Sequence, residues 1–506
     1  MGEKTTAAGT DSRSGQSAAE GPERLDRRLV GLGAIIVAGA FMSALDATIV
    51  AVALDRIGRE FASPVSTLQW VAVAYLLALA MVVPVTGWSV QRFGARRMWL
   101  FALSVFVGAS LLCGLAWSIE SLIAFRVLQG LGGGLIPPLA QVILVRAAGP
   151  RRIGRVMSMV SVPTQLAPVL GPTVGGLLVD GPGWQWIFFL NVPLGAVALA
   201  FAWLGLPRDD RSTAAARPDV LGMLLLSPAI TALVYGLSLA GEGAGTLGTA
   251  EAVLSVGLGA VLLAAFLTHA RRDHPSPALD LRLFGCRPFA LAAGLIFLSG
   301  ASLFGMMFLL PLFHQQARGL DALQAGLLLA PQGVGMVAAL LVVGALVDRF
   351  GSRYIVLTGI VLVIIGTLPF TQVESVGDGA LAVALVVRGV GLGAASIPLT
   401  ATAYRFLPPD KTPGAATALV IVQRLGGSLG TALLALILQW EIDRAARGVS
   451  DGGVLTAAYG RTFWWTVGLS LLALLPAVFL PGPAETRGAD WSGHRSLPSS
   501  TSGGGG

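Results

Sequence analysis

Residues 87–97 read GWSVQRFGARR and residues 344–354 read GALVDRFGSRY. The two stretches share Gly, then Arg-Phe-Gly, then a second Arg at identical offsets, 257 residues apart. Each closes a long apolar run and opens another. Gly94 and Gly351 suit a chain reversal, because glycine adopts backbone angles that other residues avoid. Gly87 and Gly344 let two helices approach without an intervening side chain. Arg92, Arg96 and Arg97 in the first copy, and Arg349 and Arg353 in the second, can reach helix C-terminal carbonyls or a facing carboxylate. One position differs conspicuously: Gln91 stands where the second copy has Asp348.

The apolar runs around these loops decide the class. The chain of 506 residues is 54% hydrophobic and only 12% charged, with mean hydropathy +0.76. Soluble domains carry about 25% charged residues. Fourteen apolar stretches of roughly 18–25 residues each are long enough to cross a bilayer as helices. They cover 29–53, 67–90, 98–118, 121–145, 153–179, 186–206, 219–240, 251–268, 288–313, 322–347, 354–372, 380–404, 414–440 and 461–482. No ten-residue alternation repeats along the chain, which argues against a β-barrel. The expectation is an all-α integral membrane protein.

The formal charge of +7 does not point to nucleic acid. With the N-terminus inside, 25 of the 34 Lys and Arg residues fall in cytoplasmic segments, 6 in external ones and 3 within spans. That is the positive-inside asymmetry, and it places both termini in the cytoplasm. Cys113 and Cys286 form no CxxC or disulfide pattern. No lysine follows the glycines of 130–135, so no P-loop is present. No His/Cys cluster has metal spacing. The expectation is no cofactor and no metal, with an ion gradient as energy source.

The loops at 87 and 344 belong to a longer repeat. The fourth stretch carries RVLQGLGGGLIPPLA (126–140) and the twelfth RGVGLGAASIPLTA (388–401), with Arg126 and Arg388 262 residues apart and Pro137 and Pro398 261 apart. Features at nearly one offset imply a duplicated six-helix unit. The expected organisation is a cytoplasmic tail (1–28), a first six-helix bundle (29–207), two inserted helices with loops (208–286), a second bundle (287–482) and a flexible tail (483–506). The inserted helices, apolar and nearly free of charge, suit a peripheral position beside the bundles. Parallel repeats of this kind are a transporter architecture with the substrate site between them.

The ordered set of strings resembles the major facilitator superfamily, in its fourteen-span drug:proton antiporter branch. LDATIVAVAL (45–54), the two RFG loops, RVLQG in span 4, GPTVGG (171–176) and WQWIFFLNVPLG (184–195) carry the resemblance, which covers residues 29–482. It implies two pseudo-symmetric six-helix bundles plus two inserted helices. It also implies that the loop acid helps latch the outward-open state. Asp348 fits that role, whereas Gln91 leaves the first latch weaker or purely hydrogen-bonded. Gly171, Pro172, Gly175 and Gly176 correspond to the antiporter motif of span 5. The family usually continues its first-span motif as NVALP where this chain has Ala51-Val52-Ala53-Leu54-Asp55, which alters the external mouth.

Asp46 is the one acid well within any of the fourteen stretches. A charge there costs at least ~2.5–3.5 kcal/mol, so it requires a partner, a proton or a wet cavity. Asp46 and Arg126 lie at similar depth, about 12 and 8 Å from the external ends of their spans. Asp46 is then either a proton carrier tuned by Arg126 or half of a structural ion pair; the resemblance implies the former. Arg388 and Arg424, also within spans, have four open readings: facing Asp46, a water-filled cavity, backbone carbonyls or an anionic substrate group. Trp70, Tyr75, Gln165 and His314 are further candidate cavity liners.

The function expected is export of amphipathic drugs or antibiotics across the plasma membrane in exchange for protons, by a monomer. Alternatives are a dedicated exporter of one metabolite or self-made antibiotic, a nutrient importer, and a transport-dead sensor or scaffold.

Overall fold

The computed structural model describes residues 27–68, 70–208, 218–241, 246–272, 277–320, 322–373, 375–446 and 454–482. The side chains of Asp55, Gln165, Pro172 and Asp348 lie outside the described residues. Helices occupy all fourteen apolar stretches. In the first half they are α1 (Arg27–Glu60), α2 (Val65–Leu68), α3 (Trp70–Val82), α4 (Val85–Phe93), α5 (Ala95–Gly114), α6 (Ile119–Asp180), α7 (Trp186–Phe189) and α8 (Asn191–Gly205). Two inserted helices follow, α9 (Val220–Gly241) and α10 (Thr246–His269). The second half holds α11 (Arg287–Leu312), α12 (Ala322–Leu327), α13 (Ala330–Phe350), α14 (Ser352–Thr367), α15 (Asp378–Arg405), α16 (Thr412–Ala446) and α17 (Val454–Val478).

Among the described residues twelve helices are long and apolar enough to cross a membrane, and α3 with α4 makes a thirteenth span bent by 56°. The remaining stretch, 153–179, lies in the far limb of α6. That helix cannot be straight. Arg126 reaches Asp46 on α1, while Gly171 lies against Thr48 on the same helix. Residues 126 and 171 of a straight helix would be about 68 Å apart. The chain therefore folds back between them, and the far limb forms a span of its own.

Duplication is visible in the backbone. Gly94 has φ 90° and ψ 155°, and Gly351 has φ 84° and ψ 156°. Their amides donate to the Val90 and Val347 carbonyls at 2.9 and 2.8 Å. Both glycines thus end one helix and start the next, in a left-handed conformation that an L side chain resists.

Small residues set the helix spacing. A Cβ on Gly130 would stand 2.5 Å from the Tyr75 carbonyl oxygen, and one on Gly132 2.7 Å from the Phe106 nitrogen. Span 4 thus packs backbone to backbone against α3 and α5, a contact that suits a medium where hydrophobic burial gives helices little reason to associate.

The two inserted helices differ in how they meet the halves. α10 is peripheral, with only 17% of its span buried against 72% for Ile119–Ala148. α9, however, packs against both α3 and α16, one helix from each half. Its apolar surface is a protein contact on two sides, and composition alone cannot distinguish protein from lipid as an apolar neighbour. Asp219, just ahead of α9, accepts from the Gly222 and Ala278 amides at 2.8 and 3.2 Å and from His269 Nε2 at 2.7 Å. One carboxylate thereby ties both inserted helices to the loop that enters the second half.

At the ends assigned to the cytoplasm the halves meet. Gly87 on α4 faces Gly414 and Thr417 of α16, and Tyr404 Oη donates to Gln141 Oε1 at 2.6 Å. Beyond that contact the 56° bend turns α3 off the line of α4.

Candidate functional site

Asp46 and Arg126 meet in the interior of the first half, 0% and 1% exposed, with Arg126 Nη1 2.7 Å from Asp46 Oδ2. Neutral donors complete the carboxylate. Gln129 Nε2 and Asn191 Nδ2 each donate to Oδ1 at 2.9 Å. Arg126 spreads its own hydrogens over the Val71 carbonyl (Nε, 3.1 Å) and Gln129 Oε1 (Nη1, 2.5 Å). Ser110 Oγ accepts from Gln129 Nε2 at 2.6 Å. The Tyr75 ring centroid lies 4.0 Å from the guanidinium carbon, and that of Phe188 5.7 Å away. Helices α1, α3, α5, α6 and α8 thus converge on one ion pair. Such satisfaction is what a charge pair removed from water requires.

Gln129, Asn191 and Ser110 were not singled out from the sequence, although two of them lie in quoted strings. Gln129 falls one helical turn after Arg126 in RVLQG, and Asn191 opens α8 in FLNVPLG. A polar side chain inside an apolar span needs a partner, and that signal could have found all three.

The other half repeats the arginine without the acid. Arg388, 0% exposed, donates to Gln332 Oε1 (2.5 Å), the Ser302 carbonyl (2.9 Å) and Ser302 Oγ (3.2 Å). Each arginine thus bonds to the second span of its half, Arg126 to the Val71 carbonyl and Arg388 to the Gln332 side chain. Among the described residues no carboxylate pairs with Arg388. Of the open readings, it takes neutral acceptors within its own half rather than Asp46 or a cavity.

Arg424, within α16, is half-buried and has no hydrogen-bond or ion-pair partner among the described residues; its Nε is buried without one. Tyr75 is buried within the first half, and a Cβ on Gly133 would stand 3.1 Å from its hydroxyl. Trp70 is exposed and turns to the inserted pair, its ring 5.8 Å from Tyr235 of α9. His314 is buried in a single π-turn (Phe313–Ala317) that extends α11, with its ring 5.1 Å from Phe313. Gln165 lies outside the described residues. The structure therefore brings Tyr75 to the Asp46–Arg126 pair and leaves Trp70 and His314 apart from it.

In the span 5 motif, Gly171 abuts Thr48, and a Cβ on Gly175 would stand 3.1 Å from the Ile49 carbonyl oxygen, while Gly176 faces open space. Two of its glycines thus press against α1 one turn beyond Asp46. In the loops, Arg96 Nη2 donates to the Trp203 carbonyl near the end of α8 at 2.5 Å, the helix-end contact expected of these arginines. Arg92 and Arg349 lie over Phe93 and Phe350 at 5.9 and 5.2 Å. Asp348 lies outside the described residues, and Gln91 is half-buried on α4. A buried acid also lies beyond the expected stretches: α16 runs past 440, and Glu441, 3% exposed, lies 3.3 Å from Arg461.

Comparison with known proteins agrees with this architecture. A putative multidrug resistance protein MdtD from Cronobacter sakazakii is 32% identical over 457 residues, covering 88% of this chain and 92% of that one. A multidrug resistance protein B homolog from Mycobacterium tuberculosis is 37% identical over 436 residues, covering 86% and 80%. Among solved structures, a double-tryptophan variant of XylE superposes with TM-score 0.62 at 14% identity, covering 91% of this chain and 98% of that one. The sequence profile of the Major Facilitator Superfamily matches residues 36–431. The duplicated loops, the two six-helix halves and these matches agree: the chain belongs to the major facilitator superfamily, a family of membrane transporters rather than enzymes.

Proposed function

We propose that this transporter exports amphipathic small molecules across the plasma membrane in exchange for protons, as a monomer with both termini in the cytoplasm. The observation that carries the reading is Asp46, an acid buried among the spans and bound to Arg126. Asp46 carries the proton. When it is protonated the pair loses its charge attraction, and Arg126 keeps the Val71 carbonyl, Gln129 and the Tyr75 ring. When it is ionised the pair re-forms and draws α1 and α6 together. The two halves rock about the midplane, and Gly87 against Gly414 closes the cytoplasmic side. Gly171 and Gly175 form the surface on which span 5 moves against α1. Asp348 and the loop arginines bias the outward state, with Gln91 contributing only hydrogen bonds. The names of the two relatives support a multidrug substrate range.

Purified protein in liposomes with an imposed pH gradient tests the reading. Wild type is expected to move an amphipathic substrate with proton counterflow, and Asp46→Asn to lose gradient-driven transport while still inserting and folding. Normal gradient-driven efflux by Asp46→Asn would overturn the assignment.

A further inference from the structure

The two oxygens of Asp46 are not equivalent. Oδ1 accepts from Gln129 Nε2 and Asn191 Nδ2, each at 2.9 Å, whereas Oδ2 accepts among the described residues from Arg126 Nη1 alone, at 2.7 Å. An ionised carboxylate offers about two lone pairs on each oxygen. Oδ1 is therefore filled, and Oδ2 has a place open.

The donors cannot be reversed. A guanidinium only donates, so Gln129 turns Oε1 towards Arg126 Nη1, which leaves Nε2 facing Asp46 and Ser110 Oγ. An ionised carboxylate only accepts, so Asn191 presents Nδ2 to it. Both amides are fully buried. Asn191 opens α8, and one turn later a Cβ on Gly195 would overlap Val107 of α5 and stand 3.3 Å from Met42 Sδ of α1. α8 is thus pressed between the helices that carry Ser110 and Asp46. The groups that can carry charge around Asp46 are Arg126 from α6, Tyr75 from α3 and Cys113 from α5. α8 brings the neutral Asn191, and α7 brings the Phe188 ring to the pair. Tyrosine and cysteine ordinarily titrate above about pH 8, outside the range in which a carboxylate exchanges its proton.

Resting on the assignment of Asp46 as proton carrier, we propose that Asn191 and Gln129 are positioning residues that keep the proton off Oδ1 and direct it to Oδ2, the oxygen that holds Arg126. One O–H bond forms on Oδ2, no other covalent bond changes, and the pair goes from neutral to a single positive charge. Proton uptake and weakening of the Asp46–Arg126 contact are then one event. Oδ1 stays the carbonyl oxygen and keeps both amide donors, so α6 and α8 hold the carboxyl in either state. With Oδ1 free, a proton would bind there and leave the Arg126 contact on Oδ2 in place.

Infrared difference spectra of the purified full-length protein in detergent, taken between neutral and acidic pH, read this site without any gradient. A protonated carboxyl absorbs through its C=O stretch, and each hydrogen bond to the carbonyl oxygen lowers the frequency. Loss of a band in Asp46→Asn identifies it as that of Asp46. Asn191→Leu and Gln129→Met each remove one donor from Oδ1, so each is expected to move the Asp46 band to higher frequency; either variant alone decides. A side chain that only packs would change stability and leave the frequency where it was. A band that stays in place in a folded variant, or a wild-type band at the frequency of an unbonded carbonyl, would overturn the proposal while leaving Asp46 as the carrier. No band lost in Asp46→Asn would remove the carrier itself, and the proposal with it.

Discussion

Arg126 and Arg388 hold equivalent places in the two halves, yet among the described residues only Arg126 of the two meets a carboxylate, with Nη1 2.7 Å from Asp46 Oδ2. Arg388 is bound instead by the Gln332 side chain and by Ser302. The duplicated unit kept the cation on both sides and the titratable acid on one. In the proposed mechanism the first half therefore responds to protons, while the second contributes fixed positive charge.

This asymmetry predicts opposite responses to removing each arginine. Arg126→Gln leaves Asp46 without its counter-ion, and breaking a buried pair on one side costs about 3–5 kcal/mol. A marked loss of thermal stability in detergent at neutral pH is expected. The double variant Asp46→Asn/Arg126→Gln should recover most of it, because no unpaired charge remains; a thermodynamic cycle over the four proteins measures the coupling.

Arg388→Gln removes a buried cation that has no counter-ion among the described residues and keeps an amide to donate to Ser302. Its effect on melting is expected to be neutral or mildly stabilising, within about 1 kcal/mol. A loss as large as that of Arg126→Gln would show an anion at Arg388 in the folded protein.

Gly87 sets how closely the halves meet. A Cβ there would stand 3.5 Å from Thr417 Oγ1 and 3.7 Å from Gly414 Cα, an ordinary contact. Gly87→Ala is therefore expected to be tolerated, whereas Gly87→Leu wedges α4 off α16 and breaks cytoplasmic closure. Thiol labelling of a cysteine introduced at Gln141, from the cytoplasmic side, should rise in the leucine variant and not in the alanine variant.

Gly130 sets the distance between span 4 and α3. An alanine there would place its Cβ 2.5 Å from the Tyr75 carbonyl oxygen and 2.8 Å from Ala78 Cβ, forcing the helices apart. Overpacking of this kind costs about 1–3 kcal/mol. It also lifts Tyr75 from Arg126, so Gly130→Ala should lower both melting temperature and gradient-driven transport.

Asp219 holds the inserted pair through two backbone amides and His269. Asp219→Ala removes the acceptor for all three, and the loss of such a cap is worth about 0.5–2 kcal/mol. The expected outcome is a modest drop in melting temperature and faster proteolysis of the 271–286 loop.

Much of the fold was legible because a bilayer imposes a length on every span. Apolar runs of the right size located the helices, and the repeated RFG loops exposed the duplication before any contact was known. Gly94 and Gly351 could be read as reversals because few residues other than glycine accept their backbone angles. Asp46 and Arg126 stood out because charge is rare and costly inside a membrane. Gln129, Asn191 and Ser110 were harder to see: neutral polar residues occur in spans for several reasons, and only their convergence marks these.

By itself the sequence determined the membrane class and the spans and marked Asp46 and Arg126 as charges that need partners, since each follows from transfer energy and periodicity along the chain. Tertiary structure decided what depends on facing. Spans that are apolar all round do not reveal which side meets protein, so only the folded chain put α9 against both halves. For the same reason, only the folded chain sealed Arg388 among neutral acceptors.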